Sequence, residues 1–157
     1  MREDIRILQA EIRADLQAIA EAYQALHSVL KDEEQRSQDI VIGYYLNVLY
    51  GLFENLFERI AAMFENQIHN KAQWHAQLLR RMTLDIQDIR PRAISAAAYQ
   101  CLDELRRFRH VFRNAYVLSF DAVRLGLVLE KALELERLYQ GEIEAFLSFL
   151  DELAGRE

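Results

Sequence analysis

The chain has 157 residues, 52% of them apolar, enough for one domain with a real core and too many for a disordered chain. Its formal net charge of -6 argues against a general nucleic-acid coat and against a partner made of anionic lipid. A single cysteine, Cys101, allows no internal disulfide. With one proline and five glycines there are few breakers, and Leu, Ala, Glu, Gln and Arg far outnumber Val and Thr. The expected fold class is therefore all-α, in one domain over residues 1–157. The opening segment MREDIRILQAEIRADLQ is charged and amphipathic, unlike the apolar core of a signal peptide. No apolar run approaches the ~20 residues of a membrane span. These features lead to the expectation of a cytoplasmic protein with no membrane partner.

The first predicted helix covers Arg2 to Lys31, where Ile5, Leu8, Ile12, Leu16, Ile19, Tyr23, Leu26 and Leu30 form one stripe at steps of three and four. The charged stretch KDEEQRS over 31–37 breaks the pattern, and Ser37 or Asp39 is placed to cap a second helix. That second helix is predicted from Gln38 to Ile68. Its apolar residues cover more than one stripe, so it is either central in the bundle or buried by a second copy of the chain. Its aromatics fit packing better than a cofactor box. Glu54 and Glu58, one turn apart with Arg59 beside them, read as solvated or interface carboxylates.

Asn66 to Gln73 is polar and reads as a loop, followed by a short third helix from Trp74 to Ile89 with Leu78, Leu79, Met82 and Ile86 inward. Pro91 suits the first turn of a fourth helix, where a missing N–H costs nothing. That helix runs to Phe112, with Arg113 to Ser119 as its end or a turn. A last helix covers Phe120 to Leu153. The pattern gives a five-helix up-and-down bundle.

Familiar catalytic signatures are missing: there is no Gly-rich phosphate loop, CxxC, HExxH or GxSxG. His27, His69, His75 and His110 are scattered without an evident set of metal-ligating partners, so no metal or cofactor is expected. The local charge is more informative. From Arg90 to Arg113 six arginines face only Asp103 and Glu104, whereas the chain from Phe120 onward carries nine acids against four bases. Within this region lies LRRFRHVFRNAY, over 105–116. Arg106, Arg109 and Arg113 share one helix side, and guanidinium groups grip phosphate oxygens in a forked geometry. The plainer account is a charged face paired with the acidic last helix.

The segment FRHVFRNAY resembles the signature of HEPN domains, which in the HepT-like group reads Arg-x4-His-x-Tyr. Arg109 and Tyr116 match the Arg and Tyr, and Asn114 occupies the His position. YGLFENLFERIA, QWHAQLL and IRPRAIS resemble HepT-like sequences in the same order, so the resemblance covers Tyr44 to Leu150. It implies a helical, two-fold homodimer that cleaves RNA without metal and is silenced by a small nucleotidyltransferase antitoxin. That partner would transfer AMP from ATP to Tyr116. Arg109 would hold the scissile phosphate, with Arg106, Arg113 and His110 as supporting RNA contacts.

Asn114 departs from the pattern where the chemistry is most exacting. An amide hydrogen-bonds but does not carry a proton at neutral pH, and losing a general acid–base group costs ~10²–10⁴ in rate. His110 is the other histidine in reach of this role, but it stands one turn away, a shift of ~5.4 Å. The sequence leaves open whether Asn114 is native or was introduced to disarm the chain. It also leaves a second reading, a non-catalytic helical interaction protein.

Overall fold

The computed structural model describes residues 1–32, 38–65, 73–113 and 122–156, with the backbone alone over 110–113. Five helices follow one another: α1 (Arg2–Lys31), α2 (Gln38–Phe64), α3 (Trp74–Arg81), α4 (Ala96–Arg113) and α5 (Ala122–Gly155). Among the described residues there is no strand beyond an isolated bridge between Ile86 and Arg90. The all-α expectation holds.

Four long helices form a ring in which α1 packs on α2, α2 on α4, α4 on α5 and α5 on α1. Side-chain contacts give the directions. Arg6 meets Asp151 at 2.6 Å and Arg13 meets Glu144 at 2.8 Å, so α1 and α5 are antiparallel. Arg59 donates to Asp15 at 2.9 Å, while Gln38 near the start of α2 reaches the Val29 carbonyl, so α1 and α2 are antiparallel too. The exposed pairs between α1 and α5 add little stability and here mark register, whereas Arg59 meets a buried carboxylate in Asp15. Cohesion comes from the core. Tyr23, Leu46, Leu49, Phe53, Leu56, Leu105, Leu135 and Phe146 are all essentially fully buried. The Tyr23 hydroxyl donates to the Ala132 carbonyl at 2.7 Å, and its ring stacks on Tyr139, which meets Phe53 edge-on. Cys101 is wholly inside, and burial pushes its thiol up to about 11.

The second helix is central, as its broad apolar surface suggests. By length and composition it could cross a membrane, but half of its most apolar window is buried within the bundle. The second helix ends at Phe64, with Glu65 in a turn, short of the expected Ile68; residues 66–72 lie outside the described residues, as does Ser37.

The third and fourth helices differ from expectation. The third ends at Arg81 rather than Ile89, and Pro91 is not in the first turn of α4, which starts at Ala96. The cause is a buried arginine. Arg90 donates to the carbonyls of Arg81, Leu84 and Pro91 and pairs through Nε and Nη2 with Glu65, just past the end of α2. It thereby satisfies carbonyls that a continuing helix would have used and bends the chain back, with Asp88 in the left-handed region at φ 65. The Met82 carbonyl then accepts from the N–H groups of Ala93 and Ile94. Ser95 caps α4 through its hydroxyl, which accepts from the Ala98 N–H at 3.1 Å, and Glu142 of α5 accepts from both the Ser95 N–H and hydroxyl.

Truncating Arg90 would remove a donor from Glu65 and from the carbonyls of Arg81, Leu84 and Pro91, of which Arg81 keeps the Leu84 N–H. Arg90→Ala is expected to cost about 3–5 kcal/mol in urea unfolding. A loss below ~1 kcal/mol would mean that this connection does not depend on the pair.

Candidate functional site

The second helix is apolar on nearly every side, with one polar row. Asn47, Tyr50, Glu54 and Glu58 follow at steps of three and four, so they share a face, and that face looks toward α3 and α4. Glu54 is the centre. It is 5% exposed, in contrast to the solvated or interface carboxylate expected from the sequence. Burying a carboxylate is unfavourable unless it is paired and hydrogen-bonded. Two partners come from elements distant in sequence. Arg109 of α4 places Nη1 3.3 Å from Oε1, and His75 of α3 places Nδ1 2.6 Å from Oε2. One carboxylate thus bridges a guanidinium and an imidazole.

The surroundings sharpen the arrangement. The Arg109 guanidinium lies over the Tyr50 ring, with Cζ 5.8 Å from its centre. Arg109 is largely buried, and its Nε has no hydrogen-bond partner; Asn47 Oδ1, further along the same face, is also buried without one. Burial, then the neighbouring Glu54 charge, raises the Tyr50 phenol well above its ordinary value, so it stays neutral. Burial likewise raises the Glu58 carboxyl; Glu54 adds to the shift, and His75, Arg109 and Arg59 oppose it. His75 is the open member. Half of its side chain, 52%, is exposed, and Trp74 meets its ring edge-on at 4.8 Å.

Of the residues singled out in the sequence, Arg109 is brought into this polar pocket. Arg106 turns instead to Asp103 in its own helix at 2.8 Å, and Arg107 joins the same carboxylate at 3.0 Å. The described arginines of α4 are therefore not matched against the acidic last helix. The backbone of α4 continues through His110 and Arg113, but their side chains, and Asn114 and Tyr116 altogether, lie outside the described residues. The same holds for His69. Among the described residues no group of three or more His, Cys, Asp or Glu side chains is suited to hold a metal.

Sequence reasoning missed Glu54 and His75 as a pair. The signal was present: a carboxylate recurring with Asn47, Tyr50 and Glu58 on one face of an otherwise apolar helix needs a buried partner. The family model for HepT-like proteins matches residues 41–150, which spans every element of this pocket. No curated protein and no solved structure matches the chain. The chain belongs to the HepT-like family of HEPN proteins. The matched span agrees closely with the resemblance read over Tyr44 to Leu150.

If Glu54 anchors Arg109, the two must be energetically coupled. Glu54→Gln is expected to cost about 1–3 kcal/mol in the native chain and clearly less in an Arg109→Met background. A double-mutant cycle with coupling below ~0.5 kcal/mol would show that the contact is incidental.

Proposed function

We propose that the chain is a HepT-like HEPN toxin, a metal-independent ribonuclease weakened at its motif by Asn114. The observation that carries this reading is the setting of Arg109. It is the arginine that the family motif assigns to the scissile phosphate, and it is oriented by Glu54 and Tyr50 rather than solvated on a charged surface. A guanidinium stays cationic and offers several donors to phosphate oxygens. RNA brings its own nucleophile in the 2′-hydroxyl, so the protein need only grip the phosphate and move protons. Arg113 and His110, which follow Arg109 in the chain, supply further phosphate contacts, and Arg106 joins them on leaving Asp103.

The remaining features of the family belong to the same proposal. A small nucleotidyltransferase antitoxin transfers AMP from ATP to Tyr116 and silences the toxin. Two copies pair about a two-fold axis so that both Arg109 residues border one groove. Apolar side chains left open at the start of α2 and of α5, Ile40 and Tyr44 with Val123 and Leu127, are suited to such pairing.

The test is RNA cleavage in the presence of chelator by the chain, by Asn114→His, and by Asn114→His with Arg109→Ala. Restoring histidine is expected to raise the rate by about 10²–10⁴, and removing Arg109 to abolish the gain. If no variant cuts RNA while all are folded, the ribonuclease reading falls and a non-catalytic interaction protein takes its place.

A further inference from the structure

The family motif takes its proton-transferring group from the position five residues after Arg109, and in this chain that position, Asn114, holds an amide. A histidine nonetheless stands on the pocket, contributed by another helix. His75 shares the Glu54 carboxylate with Arg109, one imidazole and one guanidinium on the two oxygens of a single side chain. Such an arrangement holds both groups within the reach of one phosphodiester. We infer that His75, held by Glu54, is the general base of this chain and that it acts on an RNA phosphodiester bound to Arg109. This inference rests on the ribonuclease reading.

The geometry fixes which nitrogen would act. An ionised carboxylate is an acceptor, so across the 2.6 Å contact Nδ1 donates to Glu54, and in the neutral ring the lone pair is then on Nε2. Glu54 is buried and His75 is half exposed, so the orienting group is shielded while the imidazole is open to solvent. A carboxylate on Nδ1 fixes the tautomer and stabilises the imidazolium that forms when Nε2 takes a proton, the logic by which an acidic residue supports a catalytic histidine in hydrolases. Trp74, edge-on to the ring, further limits its rotation.

The step is a transesterification. His75 Nε2 accepts the proton of the 2′-hydroxyl as the 2′-oxygen bonds to phosphorus. The bond from phosphorus to the 5′-oxygen breaks, and the leaving oxygen takes a proton from water. The products are a 2′,3′-cyclic phosphate and a 5′-hydroxyl end, and His75 returns its proton to solvent. Arg109 neutralises charge on the phosphoryl oxygens and exchanges no proton.

The experiment compares, with chelator present, the chain, His75→Gln, Asn114→His, the double variant, and Arg109→Ala as background. Cleavage, RNA binding and thermal unfolding are followed for each. The chain is expected to cut slowly but above the Arg109→Ala background. His75→Gln should lower that rate by about 100-fold with RNA binding retained. Added imidazole should restore cleavage to His75→Gly, which a merely structural role would not allow. Equal rates for the chain and His75→Gln would overturn the inference and leave the ribonuclease reading standing. So would a chain at background beside an active Asn114→His. If Asn114→His is also inert while folded, the ribonuclease reading fails and takes this inference with it.

Discussion

A carboxylate buried in the middle of an apolar helix is the constraint on which this architecture turns. Taking an ionised group out of water costs several kcal/mol, and Glu54 recovers that only through a cation and a further hydrogen-bond donor in good geometry. Its own helix supplies neither. One comes from α3, 21 residues on, and the other from α4, 55 residues on. Satisfying Glu54 therefore fixes how α3 and α4 sit against α2, and it does so at a single point. Dispersion and apolar burial hold the ring together but tolerate sliding. A charge pair at close to 3 Å does not.

A second buried pair does the same for the chain between α3 and α4. Arg90 and Glu65 join the connection to the end of α2, and the guanidinium also takes the last carbonyl of α3, that of Arg81. The short helix is thus held through His75 near its start and through Arg90 just beyond its end. Eight residues would be marginal as an isolated helix. Between these two fixtures, with Leu78, Leu79 and Met82 packed inward, α3 becomes a rigid platform for a histidine at the edge of the pocket.

The helices were legible because their apolar residues recur at helical spacing over long stretches, as from Ile5 to Leu30 or through α2. The family was legible from Arg109, Tyr116 and the order of three further segments. What escaped was interaction between residues far apart in the chain. Arg90 followed by Pro91 looked like the approach to a helix, since proline suits a first turn. Nothing local reveals that Arg90 caps α3 and turns the chain back. Glu54 and Glu58 looked solvated because carboxylates one turn apart usually are. His75 was set aside because its partner lies on another helix, and spacing rules find only ligands that share an element. Arg106 illustrates the reverse: it stood out with Arg109 on the same helix side, but Asp103, three residues back, takes it up.

The anchoring of Arg109 bears on how the asparagine in the motif should be read. If the arginine were oriented by residue 114, replacing a histidine there would disturb both phosphate grip and proton transfer. Among the described residues, Arg109 makes its contacts with Glu54 and Tyr50 on α2. They depend on the packing of α2 against α4, which is set by core residues such as Phe53, Leu102 and Leu105. On the proposed ribonuclease reading, the phosphate-binding half of the site and the proton-transferring half would be separable. A change at 114 would then remove one function and leave the other preorganised, and a site that keeps its arginine oriented could draw a proton acceptor from a neighbouring helix. Here α3 presents His75 on the same carboxylate, which makes Glu54, rather than the motif alone, the element that ties the two halves together.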